Sequence, residues 1–191
     1  MIYNPHMEKL ILSENEIQSL VAKVGERITA DYKGCEKPPV IICVMNGAMA
    51  FCADLLKRVD LDVVFDYIQV KSWSGTKSTG QIQMVKDIST DIKGRDVLLV
   101  EDIVDTGHSM LYLTKYLQEK YQPKTLKICA FFDKPSGRQV ELKAHYVGYE
   151  LKGNEFLVGY GLDYNGLGRN IPYVFVPSKD QIEAWDKANK D

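Results

Sequence analysis

What is scarce in this 191-residue chain narrows its function first. No stretch of Lys and Arg is dense enough to form a nucleic-acid footprint, and the formal net charge is only −2, so no nucleic-acid partner is expected. No segment approaches the roughly 20 apolar residues of a spanning helix, so no membrane partner is expected either. The opening residues, MIYNPHMEKL, lack the charged and apolar regions of a signal peptide. Cysteine is sparse and shows neither CxxC nor zinc spacing: there are four, at 35, 43, 52 and 129. Cys43 and Cys129 sit in apolar, strand-like runs, which suits free thiols in a reducing cytoplasm better than disulfides. Internal repeats and low-complexity segments are absent. Apolar content of 45% and charged content of 26% are ordinary, and the length suits one domain spanning 1–191.

What is present is organised around thirteen residues, VLLVEDIVDTGHS, from Val97 to Ser109. Val97 to Val100 form an apolar run suited to a strand buried on both faces of a parallel sheet. That run is expected to end at Glu101-Asp102, with Asp105 and then Thr106-Gly107-His108-Ser109 in a loop. Met110, Leu113, Tyr116 and Leu117 follow at helical spacing. Strand, acidic loop and helix start place this stretch at the carboxyl edge of a sheet, where open α/β folds bind ligands. The Thr-Gly-x-Ser turn can aim amides and hydroxyls at a phosphate, helped by the helix N-terminus. Two adjacent acids would repel that phosphate, so Glu101 and Asp102 are expected to face sugar hydroxyls or a Mg²⁺ ion.

The remaining segments read as alternating helices and strands. Ser13 to Glu16 fits a capping box, and Ile17, Leu20, Val21, Val24 and Ile28 trace one helical stripe ending near Lys33-Gly34. Val40 to Val44 is a second buried-strand run, broken at Met45-Asn46-Gly47-Ala48 before a helix through Phe51, Leu55 and Leu56. That turn lets backbone amides approach an anion. Leu61 to Ser72 reads as a long strand, and Ser72 to Gly80, rich in Ser, Thr and Gly around Trp73, as a mobile loop or lid. Gln81 to Val85 returns as a strand. Thr125 to Phe132 is another apolar strand, followed by Asp133-Lys134-Pro135; Lys134 at its end can donate to a ligand carbonyl. His145 to Tyr149 and Ile171 to Val176 are short strands. Ser178 and Gln181 form a second capping pair for a closing helix.

The Val-Glu-Asp-Ile-Val-Asp-Thr-Gly stretch resembles the phosphoribosyl pyrophosphate (PRPP) signature of type I phosphoribosyltransferases, in its hypoxanthine-guanine form. Three further segments are similar to that family in order and spacing: Asn46-Gly47, Lys134, and Glu155 to Tyr164 with Arg169. The resemblance spans roughly residues 36–176. It implies an α/β fold with a Rossmann-like parallel sheet flanked by helices. The sheet core would cover about 36–150, with a small hood from the N-terminal segment and about 151–191. It also implies purine salvage: transfer of the 5-phosphoribosyl group from PRPP to hypoxanthine or guanine, with Mg²⁺ as cofactor and a homodimer or homotetramer as assembly.

The resemblance assigns roles residue by residue. Thr106, Gly107, His108 and Ser109 would hold the 5′-phosphate, His108 through its amide alone. Glu101 and Asp102 would secure the ribose hydroxyls and Mg²⁺, and Asp163 would anchor a second Mg²⁺ through water. Asn46, Gly47 and Arg169 would bind pyrophosphate, and Asp105 would be the base or proton partner of the purine imidazole ring. Lys134 would read the 6-oxo group, Phe156 would stack on the base, and the Leu157 backbone would face its opposite edge. The flap at Ser72-Trp73 would exclude water. Two features depart from the family pattern: Trp73 stands where a tyrosine is common, and Asn46 where some relatives carry a basic residue. Xanthine as the main acceptor, and a PRPP-sensing regulator without turnover, remain open alternatives.

Overall fold

The computed structural model describes residues 7–72 and 82–188. Trp73 therefore lies outside the described residues, and of Ser72 only the backbone, at the end of a strand, is described.

Six strands form the main sheet: β2 (Val40–Met45), β3 (Val64–Ser72), β4 (Ile82–Lys86), β5 (Asp96–Val104), β6 (Thr125–Asp133) and β7 (Tyr146–Glu150). Their spatial order is β4-β3-β2-β5-β6-β7. Every pairing is parallel except the β3–β4 edge, where the chain doubles back. The arrangement is the α/β parallel-rich sheet that the apolar runs predict. Strand residues alternate between two cores, as the period of two in side-chain direction requires. Ile41, Cys43, Leu98, Val100, Cys129 and Phe131 pack against α1 (Glu14–Tyr32) and α2 (Met49–Leu56). Val40, Ile42, Val97, Leu99, Ile128 and Ala130 face α3 (His108–Tyr121) on the other side. Val97 to Val100 are completely buried, which is why no polar residue interrupts them.

The capping box at α1 forms as predicted: Ser13 N donates to Glu16 Oε2 at 2.8 Å, and Glu16 N donates to Ser13 Oγ at 3.4 Å. Two boundaries differ from expectation. Strand β5 does not end at Glu101-Asp102 but runs on to Val104, paired with β6 as far as Val104 opposite Asp133. The ladder bonds of the parallel sheet outlast the apolar side chains, so the acids ride on the strand itself. A strand also forms where none was anticipated. β1 (Met7–Leu12) pairs antiparallel with β8 (Val174–Pro177) in a separate two-stranded sheet. Its mixed Met-Glu-Lys-Leu-Ile-Leu pattern has no period of its own, and only the partner 162 to 170 residues away reveals it. Leu12 and Val174 join the same core as α1. Helix α4 (Lys179–Ala188) closes the chain, with Gln181 N donating to Ser178 Oγ at 3.2 Å. Among the described residues no helix is long and apolar enough to cross a membrane.

Candidate functional site

A cavity of about 240 Å³ opens at the carboxyl end of β5, lined by the chain from Glu101 to Gly107 with Ser109 and Met110. Its two acids have only local partners. Glu101 accepts from the Asp102 amide at 3.1 Å, and Asp102 accepts from the Ile103 amide at 2.7 Å. Among the described residues no Lys or Arg lies within ion-pair distance of either. Burial, reinforced by the neighbouring Asp102 charge, raises the Glu101 carboxyl well above the usual range. Burial also raises Asp102, against the pull of its hydrogen bonds and of the Arg169 charge. Glu101, buried, and Asp102, partly buried, are adjacent carboxylates that could hold a cation.

Gly107 turns the chain from β5 into α3 at φ 86°, a conformation that costs a side-chain-bearing residue. No side chain caps α3. Its first-turn amides, beside the Thr106 and Ser109 hydroxyls, therefore face the cavity mouth with no intrahelical partner. The exposed His108 ring meets Gln139 Oε1 at 3.1 Å, so the imidazole is engaged away from this row of amides.

Asp105 is half-exposed, and its Oδ2 lies 3.3 Å from Lys134 Nζ. Lys134 is buried, with its own amide donating to Val104 O at 3.0 Å. The ends of β5 and β6 thus bring a carboxylate and an ammonium together across 29 residues of sequence. The Asn46-Gly47 turn approaches from β2: the Met45–Asn46 peptide is cis, and Gln69 Nε2 donates to Asn46 Oδ1 at 3.3 Å. A Cβ on Gly47 would fall 1.7 Å from Asp102 Oδ2, so only glycine lets this turn sit against the acid.

The segment after β7 supplies the rest. Leu157 is buried whereas Phe156 is half-exposed, its ring edge-on to Tyr164 at 5.9 Å, which in turn stacks on Trp185 at 6.2 Å. The glycine-rich spacer from Asn165 to Gly168 folds into a tight turn closed by two Tyr164–Leu167 bonds of 2.9 Å. That turn returns Arg169 to Asp163, with Nη2 to Oδ1 at 2.7 Å, while Arg169 Nη1 donates to Gly161 O at 2.7 Å. Asp163 Oδ2 accepts from the Gly166 amide at 2.7 Å.

The structure brings Gly47 against Asp102, Lys134 against Asp105 and Arg169 against Asp163, while Phe156 packs on Tyr164 and is not among the residues lining the Glu101–Met110 cavity. One residue was missed. Arg138, four residues beyond Lys134, donates from Nε to Asp105 O at 3.0 Å and from Nη2 to Val104 O at 3.2 Å. Nothing in Pro-Ser-Gly-Arg distinguishes it from a surface arginine; only its burial marks it.

With this geometry in place the comparisons decide the family. The model described as "Phosphoribosyl transferase domain" matches residues 12–165. A hypoxanthine-guanine phosphoribosyltransferase of Streptococcus pyogenes is 44% identical over 171 residues, covering 89% of this chain and 93% of that protein. The chain belongs to the hypoxanthine-guanine phosphoribosyltransferase family. Two solved relatives share the architecture. The hypoxanthine phosphoribosyltransferase of Staphylococcus aureus superposes with a TM-score of 0.85 at 38% identity, covering 92% of this chain and 94% of that one. The Trypanosoma cruzi enzyme, solved in complex with the product IMP, gives 0.86 at 34% identity, covering 94% and 99%.

Proposed function

We propose that the protein transfers the 5-phosphoribosyl group of PRPP to hypoxanthine or guanine, forming IMP or GMP and pyrophosphate in purine salvage. The observation that carries this reading is the Asp105–Lys134 pair beside the adjacent sheltered acids Glu101 and Asp102 and an uncapped helix N-terminus. The α3 amides with Thr106 and Ser109 hold the 5′-phosphate. Glu101 and Asp102 face the ribose hydroxyls. They also fit Mg²⁺, which is characteristically held by one or two carboxylates together with substrate phosphates. When bound, Mg²⁺ neutralises charge on the departing pyrophosphate. Asp163, held by Arg169 and the Gly166 amide, would anchor a second Mg²⁺ through water. Asn46, Gly47 and Arg169 steady the pyrophosphate as the C1′–O bond breaks and positive charge grows at C1′.

As the purine nitrogen bonds to C1′, the imidazole ring loses a proton, and Asp105 is placed to accept it. Lys134 donates to the 6-oxo oxygen; adenine would offer it an amino group, donor against donor. Phe156 stacks on the base, and the Leu157 backbone meets its far edge. The β1–β8 sheet and the segment from 151 onward act as the hood over this base. The Ser72-Trp73 flap closes against water. The free thiols support a cytoplasmic setting, and a dimer or tetramer is the assembly the family resemblance favours.

The test is pyrophosphate release from PRPP with Mg²⁺, offering hypoxanthine, guanine, xanthine and adenine in separate reactions. Release with the 6-oxopurines and none with adenine is expected, and the same run ranks xanthine. Tight PRPP binding without release from any base would overturn the reading in favour of a PRPP sensor.

A further inference from the structure

Arg138 sits where the two halves of the site meet. Its guanidinium reaches four groups on three segments. It donates to the carbonyls of Val104 and Asp105 at the end of β5, to the Asp133 carboxylate at the end of β6, and to Leu142 O at 2.5 Å in the following loop. The aliphatic part of the side chain packs on Gly107, where an added Cβ would lie 2.8 Å from Arg138 Cδ. The next residue continues the clasp, with Gln139 N donating to Thr106 O at 3.0 Å. Both Arg138 and Asp133 are largely buried.

We infer that Arg138 is a positioning residue for the transfer: it locks the strand end that carries Asp105 to the strand end that carries Lys134. This rests on the function proposed above. Asp105 must meet the imidazole side of the purine while Lys134 meets its 6-oxo group, so the distance between their supports sets whether both act on one base. The β5–β6 ladder and the Lys134 amide bond reach only to Val104, and the 3.3 Å side-chain contact is too exposed on the Asp105 side to fix that distance alone. A buried guanidinium fork bonded to the backbone on one side and to Asp133 on the other does fix it. Lysine at this position would bring one ammonium and no planar fork. Removing the cation would also leave Asp133 as a buried anion one residue from Lys134, free to pull the ammonium off the substrate.

The experiment compares wild-type protein, Arg138→Lys and Arg138→Ala for pyrophosphate release with hypoxanthine. PRPP affinity is measured by calorimetry and folding by circular dichroism. In Arg138→Lys, kcat is expected to fall about 10- to 100-fold, the scale of a small misplacement of reacting groups. PRPP affinity should stay within about threefold, because lysine keeps the aliphatic chain that packs on Gly107 and the α3 amides make no bond to Arg138. Millimolar guanidinium, far below denaturing levels, should restore part of kcat in Arg138→Ala. A buried arginine that only stabilised the fold would show neither the split between kcat and affinity nor the rescue. A kcat for Arg138→Lys within about twofold of wild type overturns the inference, as does a folded Arg138→Ala that ignores guanidinium. Should Arg138→Ala fail to fold, Arg138→Lys decides alone. A wild-type protein that releases no pyrophosphate would count against the transfer reading itself, a distinct outcome.

Discussion

Two pairs of sheltered carboxylates lie within one sheet and meet opposite fates. Asp66 on β3 and Asp87 just beyond β4 brace the antiparallel β3–β4 edge. Asp66 accepts from the amides of Tyr67, Ser89 and Thr90, each at 2.7 Å, with Lys86 Nζ at 3.4 Å. Asp87 accepts from the Tyr116 hydroxyl, from Tyr121 at 2.8 Å and from Lys120 at 2.7 Å. Burial alone would raise both carboxyls, but these donors overcome it and hold them below the usual range. Glu101 and Asp102 each accept from only one neighbouring amide, and burial pushes them the other way. Saturated acids hold a structure together, whereas acids raised by burial are candidates for a functional site.

Asp105 belongs to neither pair, and the largest effect is expected there. Being half-exposed, it should tolerate Asp105→Asn with little change in melting temperature, while kcat falls about 10²- to 10⁴-fold. Steady-state kinetics beside a thermal melt checks this; unchanged turnover would remove Asp105 from the proton-transfer role. Next comes Glu101→Gln, which sharpens the comparison directly. Without ligand it should leave stability unchanged or raise it by about 1 kcal/mol, because repulsion with Asp102 is relieved. Affinity for PRPP with Mg²⁺ should fall by about tenfold or more, or 1.4 kcal/mol. Urea unfolding and calorimetry read the two halves separately.

At Asp66 the effect is expected in stability alone, with no change in the chemistry. Asp66→Asn should cost about 1–3 kcal/mol at neutral pH by weakening charge-assisted bonds to buried amides. The sign of its pH dependence follows from the depressed folded-state pKa. The contribution is complete above the unfolded value of about 4 and is lost as pH falls through the folded one. The gap between wild type and Asp66→Asn in urea should therefore close in acid. If Glu101→Gln instead destabilised the ligand-free protein as Asp66→Asn does, the contrast between the two pairs would collapse.

Much of the site was legible because its pieces are local. An uninterrupted apolar run, three acids and a Thr-Gly turn before a helical stripe are neighbours in sequence, so one strand and one turn must present them together. The Asn46-Gly47 break and the Lys134 strand end were visible for the same reason. The overreach at Glu101-Asp102 came from reading polarity as the end of a strand. The ladder with β6 carries β5 three residues further than Glu101 regardless of what those side chains are.

By itself, then, the sequence determined the alternation of buried strands and amphipathic helices, the capping box of α1, the Ser178–Gln181 capping pair and the identity of the groups offered to a ligand. These depend on the period of side chains along a strand or helix. Tertiary structure alone decided the pairing of β1 with β8, the Lys134–Asp105 contact, the return of Arg169 to Asp163 and the burial of Arg138 between two strand ends. Each of these joins segments whose spacing along the chain carries no period, so only the packed sheet can bring them within bonding distance.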